Sequence, residues 1–159
     1  MQAAARTQAA ASDIPFPEDY QGAHLARRRS AGFQLYAAMG VARGDRTASA
    51  ALALRNFDFF GAPHVLVLTT CRALGPYALL DCGGWIANFL LIAQAHGLGA
   101  IAQAALARHS DVVRASLDLP PDALVVCGIS FGYADAGHPA NSYRTARAAV
   151  GEAVQRIDR

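Results

Sequence analysis

The residues best suited to chemistry in this chain are two arginines three positions apart, Arg144 and Arg147, within "HPANSYRTARAAV" at residues 138–150. A guanidinium presents a planar fork of donors that grips a phosphate through parallel hydrogen bonds. The pair follows a strand-like apolar run and the turn-rich "GYADAG". It reads as an anion site, a phosphate foremost, or as the solvated start of a last helix over residues 145–157. The second candidate is "GLGAIAQAAL", residues 97–106. A glycine-rich turn with small residues lets a flat ligand reach the backbone and its N–H groups. The competing reading is a helix C-cap followed by packed alanines.

Side-chain catalysis has no visible carrier. There is no HExxH, no Walker loop and no GxSxG, and the five histidines lack ligand spacing. No metal site and no catalytic side chain is therefore expected. Cys71, Cys82 and Cys127 form no CxxC pair, and each is flanked by apolar or small residues, as core cysteines are. An odd count behind a start without a leucine-rich segment points to a reducing compartment. Arg27, Arg28 and Arg29 form a basic run, but the net charge is only +2, so the run reads as a solvated helix face and no nucleic-acid partner is expected.

These candidates need elements to hold them. With 53 % hydrophobic and 16 % charged residues over 159 positions, the chain is rich enough for one packed core, and disorder is excluded over most of it. An Ala-rich start and the connector "SDIPFPEDYQG" occupy the first residues. A helical pattern from His24 to about Leu54 is broken by "GVARGDR" into two helices. "VLVL" at residues 65–68 and "LVVCGIS" at 124–130 are apolar on every side and read as buried strands. Between them, "DCGGWIANFLLIAQAHGLG" reads as a helix capped by Asp81 and closed by glycines. It is apolar nearly all round, so burial on every face calls for cover from a second subunit. Its longest apolar stretch, residues 85–93, falls short of the roughly 20 residues a bilayer needs, so no membrane partner is expected and the protein reads as cytoplasmic. A short helix follows, with Ser110 as cap and Pro120-Pro121 as stop.

"NFDFFGAPHVLVL", "DCGGWIANFLLIAQAHGLGAIAQAAL", "VVRASLDLPPDALVVCGISFGYAD" and "HPANSYRTARAAV" occur in that order. In series they resemble the C-terminal two thirds of the FMN-dependent nitroreductase family, over Tyr20 to Val154. The resemblance implies an α+β fold, with a mixed, largely antiparallel sheet flanked by helices, in a homodimer with FMN at its interface. Periodicity alone suggests instead a βαβ unit of strand 64–70, helix 84–96 and strand 124–130. The division implied is 1–19 as Ala-rich tail and connector and 20–159 as the nitroreductase-like domain.

The resemblance also assigns the candidates. Arg147, with Arg144 near it, matches the basic position that holds the FMN phosphate. Ala102, Gln103, Ala104 and Ala105 match the segment whose backbone runs along the isoalloxazine edge, with the Ala104 N–H toward flavin N5 or O4. Ala102 stands where many relatives have proline. The implied activity is a ping-pong oxidoreductase: NAD(P)H reduces the flavin, and a nitroaromatic, quinone or similar small-molecule acceptor takes the electrons. Phe59, Phe60 and Trp85 line such a slot or, more ordinarily, pack in the core. The family opens with a helix bearing an Arg-Arg-Ser-x-Arg-like motif and a Gln-Pro-Trp-like strand that also hold FMN. This chain matches from beyond them and so reads as N-terminally truncated. "ARRRSAG" at 26–32 matches a later family region and takes no FMN role. The alternative is a non-catalytic remnant that dimerises or binds a flat ligand weakly.

Overall fold

The computed structural model describes residues 1–157. Along the described chain run α1 (Gln2–Thr7), α2 (Gly22–Ala38), α3 (Arg46–Leu54), β1 (His64–Cys71), α4 (Ala78–Ala95), β2 (Gly99–Gln103), α5 (Ser110–Leu117), β3 (Ala123–Gly132) and α6 (Val150–Ala153). Two 3-10 segments matter below: Arg55–Gly61, between α3 and β1, and Ala104–Arg108, between β2 and α5. Two compact units form, one from Met1–Asp19 with Arg46–Ala134, the other from Tyr20–Asp45 with the chain from Asp135 onward.

The first unit is built on a three-stranded sheet in the order β1-β3-β2, with both pairings antiparallel. β3 is central because it is the strand that can be covered on both faces. Cys127 and Ile129 are buried on one face, and Val125, Gly128 and Ser130 on the other, because the register shift opposite Leu68 and Thr69 carries Val125 across. The βαβ unit that periodicity suggests does not form, since β1 and β3 lie side by side and run in opposite directions. β1 was expected to be fully buried but is an edge strand, exposed at His64 and Val65 and half-buried beyond. β2 reads as a turn in the sequence. "GAIAQ" has one β-branched residue and owes its strand state to the β3 ladder, from Gly99 opposite Gly132 to Gln103 opposite Gly128.

The core joins β3 to the 3-10 segment Ala104–Arg108 and to α5. Val125, Ala107 and Val113 form one buried cluster with Phe16, Val67 and Leu119 packed against it, and Leu106 and Ile129 are fully buried as well.

Helix boundaries shift by a few residues from expectation. α4 begins at Ala78, so Asp81 lies in its first turn rather than at its cap, where a carboxylate still favours the positive helix end. It closes at His96 as expected: Gly97 takes φ +73° and Leu98 N–H donates to the Ala93 carbonyl. α4 is not buried within this chain. Only Ala78, Cys82 and Ala93 are, and by length and apolar composition alone it is long enough to cross a bilayer. Ser110 is the first residue of α5 rather than its cap, and Asp118, in the left-handed region at φ +50°, ends that helix before the two prolines.

In the second unit, α2 carries Arg27 to Glu152 at 3.2 Å, and Arg28 lies over the Tyr20 ring at 5.0 Å. The basic run thus serves contacts inside the unit. The last helix is shorter than the sequence suggests. Residues 143–149 are irregular, and only Val150–Ala153 is helical. Helix nucleation is costly, and Gly151 in so short a segment leaves little to repay it.

Candidate functional site

β2 ends where the candidate segment begins. Ala102 and Ala104 are exposed, Ala105 is half-buried, and Gln103 between them is buried at 3 % exposure. Gln103 closes β2 on the side of Gly128 and Ser130, while Ala102 points to the other side of the strand and Ala104 and Ala105 already belong to the 3-10 segment. A surface of methyl groups leaves the backbone of 102–105 open to a planar ligand.

The Gln103 side chain is therefore not itself at the ligand face. Its Nε2 donates to the Asn56 carbonyl at 3.0 Å, with Asn56 Oδ1 at 3.4 Å, and its Oε1 accepts from Ser130 Oγ. Asn56 is oriented in turn, its Nδ2 donating to the Ala53 carbonyl at 3.0 Å. Asn56 and Ser130 are not singled out by the sequence: Ser130 stands out only as the polar residue of the apolar run "VVCGIS", and Asn56 carries no signal.

The segment is seated from below by Leu106. A Cβ built on Gly128, the residue opposite Gln103, would overlap Leu106 Cδ1, so only glycine lets the 3-10 segment lie this close to β3. From the other side it is strapped by the N-terminal residues. Ala11 N–H donates to the Arg108 carbonyl at 2.8 Å, Ser110 N–H to the Ala11 carbonyl at 3.2 Å, and Asp13 N–H to Ser110 Oγ at 3.2 Å. The Asp13 carboxylate accepts from Arg114 Nη2 at 2.5 Å and from Val125 N–H at 2.9 Å. Burial pushes this carboxyl upward, but the Val125 N–H, the Arg114 guanidinium and Ser110 together hold it below its ordinary value.

Arg144 and Arg147 lie in the second unit on the irregular run 143–149, and both are exposed. Arg144 Nη1 donates to the Asn141 and Tyr143 carbonyls at 3.1 and 2.8 Å, and Arg147 Nη1 to Thr145 Oγ1 at 2.5 Å and the Thr145 carbonyl at 3.1 Å. Both guanidinia thus rest on neighbouring polar atoms of their own segment and hold no carboxylate there, which leaves their charge uncompensated locally.

The aromatic candidates are not simple core residues. Phe59 is half-buried, Phe60 is exposed, and Trp85 is exposed at 45 % and stacked on Phe89 at 5.3 Å. Phe59 and Phe60 take φ +59° and +56°, a left-handed pair that side chains rarely adopt. Cys82 and Cys127 are buried as expected, and burial, with Cys82 nearby, pushes the Cys127 thiol up, away from reactivity. A wide groove between α1 and α3, lined by Gln2, Arg6, Thr47, Leu54 and Arg55 among others, includes none of the candidate residues. It is open to solvent.

A family model described as the nitroreductase family matches residues 2–133. The chain belongs to the nitroreductase family. Among its relatives, the 4-nitrobenzoate reductase of Nocardioides sp. is 39 % identical over 137 residues, 86 % of this chain and 56 % of that protein. Nitroreductase NfnB of Mycolicibacterium smegmatis is 36 % identical over 149 residues, 90 % of this chain and 61 % of that protein. The chain thus spans well under two thirds of the length of these relatives. The crystal structure of FMN-dependent NfnB from Mycobacterium smegmatis in complex with NADPH superposes with a TM-score of 0.89 at 33 % identity, covering 99 % of this chain and 71 % of that one. FMN and NADPH-dependent NfnB from sphigopyxis sp. strain HMH gives a TM-score of 0.87 at 31 % identity, covering 91 % of this chain and 65 % of that one. The nitroreductase fold expected from the motif series, α+β with an antiparallel sheet, is the fold observed.

Proposed function

We propose that this chain acts as an FMN-dependent NAD(P)H oxidoreductase that reduces nitroaromatics, with 4-nitrobenzoate-like acids, quinones and similar acceptors as the substrate class. The observation that carries the reading is the likeness over nearly the whole chain to an FMN-dependent nitroreductase bound to NADPH. Each candidate segment, taken by itself, offers groups suited to one part of the cofactor. Arg147 and Arg144 offer guanidinia whose charge no carboxylate on their own segment neutralises, suited to the FMN phosphate. The end of β2 offers a small-residue backbone edge for a planar ring, with the Ala104 N–H toward flavin N5 or O4. When bound, FMN supplies two-electron redox chemistry between NAD(P)H and the acceptor, in ping-pong order.

The chain's own work is then binding and orientation. Ala102, Ala104 and Ala105 keep side chains away from the ring, and the N–H groups between them stabilise charge that builds on it. No acid–base side chain is required, in keeping with the lack of a catalytic constellation in the sequence. The homodimer belongs to the same reading. Leu80 and Leu91, each 69 % exposed and about three helical turns apart on one side, give α4 an uncovered apolar face that a second copy would bury. Free thiols and a nicotinamide donor suit the cytoplasm.

The deciding experiment is the absorbance spectrum from about 300 to 550 nm with added FMN, NADPH and 4-nitrobenzoate, the band positions being those of flavin chemistry. A bound-flavin band that bleaches with NADPH and returns with the acceptor supports the reading. Protein that retains no flavin at high added FMN overturns it and leaves a nitroreductase fold without the chemistry.

A further inference from the structure

Gln103 makes an unusual set of contacts for a residue in a strand of glycine and alanine. Its carboxamide is buried, and both ends are engaged across three separate elements: Nε2 with Asn56 of the 3-10 segment Arg55–Gly61, and Oε1 with Ser130 of β3. Its orientation is fixed by chemistry. The Asn56 carbonyl can only accept, so the NH2 end must face it, and the hydroxyl of Ser130 then donates to Oε1. Ser130 sits diagonally from Gln103 on the ladder, because Gln103 pairs with Gly128 and Ile101 with Ser130. Long side chains reach such diagonal neighbours.

Both ends of this link lead to something that needs holding. One residue beyond Gln103 stands Ala104, at the turn from β2 into its 3-10 segment. Three residues beyond Asn56 begins the left-handed run Phe59, Phe60 and Gly61. Two non-glycine residues in that region are strained and persist only where their surroundings over-determine them. Asp58 Oδ1 accepts from Phe60 N–H at 3.1 Å inside the segment, and Gln103 ties the segment to the sheet.

We propose that Gln103 is a positioning residue, its carboxamide bridging Ser130 and Asn56 to set the backbone of Ala104 and Ala105 and to anchor the Phe59–Phe60 turn. It works through the backbone and touches no ligand itself. The consequence for flavin binding rests on the proposed function above; the positioning role does not.

Two variants and two readouts test it. Gln103→Met keeps the volume and loses both bonds. Gln103→Glu restores them only when protonated, because a neutral carboxyl donates to the Asn56 carbonyl and accepts from Ser130, whereas a carboxylate faces that carbonyl with no proton to give. Protection factors for amide hydrogen exchange at 104–105 and 58–60 are read without cofactor, and FMN affinity by fluorescence, each at about pH 5 and pH 8 on either side of a raised carboxyl value. We expect Gln103→Met to lose about tenfold in protection at both stretches and about tenfold in FMN affinity at either pH. Gln103→Glu should match the wild type at the lower pH and fall toward Gln103→Met at the higher, while the wild type at the same two pH values serves as reference. Unchanged protection in Gln103→Met, or a Gln103→Glu protein equally impaired at both pH values, overturns the positioning role. Intact protection changes with a wild type that takes up no FMN would support the positioning role and overturn the flavin reading alone.

Discussion

Asp13 is the residue whose removal should reach the candidate site from furthest along the chain. Its carboxylate is 10 % exposed and holds Arg114, 22 % exposed, together with the N–H of Val125, which is fully buried. Asp13→Asn keeps one acceptor oxygen and turns an NH2 group toward the other donor. If the oxygen stays on Arg114, the Val125 N–H is orphaned in the core at a cost of about 1–3 kcal/mol. If it stays on Val125, a charge-assisted bond of about 1.5–3 kcal/mol is lost, reduced by the partial exposure of the guanidinium. Either way about 2 kcal/mol is expected at neutral pH, and more for Asp13→Ala, which orphans both. The pH dependence has a definite sign. The folded carboxyl lies below its ordinary value, so its contribution is fully present above the unfolded value near 4 and is lost as pH falls through the lowered folded one. Urea unfolding followed by circular dichroism should show the largest gap between wild type and Asp13→Asn at pH 7, closing below about pH 4. A gap under about 0.5 kcal/mol at pH 7, or one that widens on acidification, would refute the reasoning.

Three further outcomes follow from other contacts. Gly128→Ala must displace the fully buried Leu106 and should cost at least about 1–3 kcal/mol, read as a lowered melting midpoint; an unchanged midpoint would show that Leu106 has room to move. Arg147→Ala should weaken FMN by about ten- to a hundredfold in a fluorescence titration and leave riboflavin, which lacks the phosphate, nearly unaffected; equal losses would remove Arg147 from the phosphate. Leu91→Arg, on the exposed face of α4, should lower the mass found by sedimentation equilibrium from two copies to one, whereas a monomeric wild type at micromolar concentration would rule out the second copy.

What the sequence disclosed depended on whether one segment carried its own signal. β3 was legible because apolar residues on both faces leave a strand few alternatives. The break between α2 and α3 was legible because Gly40 and Gly44 take positive φ, which glycine allows. β2 was not, since alanine and glycine have little strand preference and the ladder that makes it a strand lies 25 to 33 residues further along the chain. Periodicity gave the strands but not their direction, and the antiparallel pairing came from the motif series. At the site, the small-residue run was visible as a stretch of letters. Its support was not, because Asn56, Gln103 and Ser130 meet only in the folded state. The helix expected over 145–157 fails for the opposite reason: its composition favours helix, yet nine of those thirteen residues stay irregular without a packed face to repay nucleation.

α4 shows how composition and structure divide the labour. Its apolar sequence fits a core helix, a membrane helix or an interface helix equally well. The core reading fails within one copy, because three of its eighteen residues are buried. A bilayer suits it poorly for a reason that lies in its neighbours. α4 packs against β1 and β2, the two edge strands of the sheet, whose unpaired N–H and C=O groups could not be satisfied by lipid. Asp81 would add to the cost within the first turn. An interface asks for none of this. It needs one face held on the sheet and another left apolar: Phe89, stacked on Trp85 and edge-on to Phe131 of β3 at 5.5 Å, holds the first, and the exposed Leu80 and Leu91 make up the second. In the proposed dimer, the sheet whose β2 leads into Ala104 would also set which face of α4 a second copy covers.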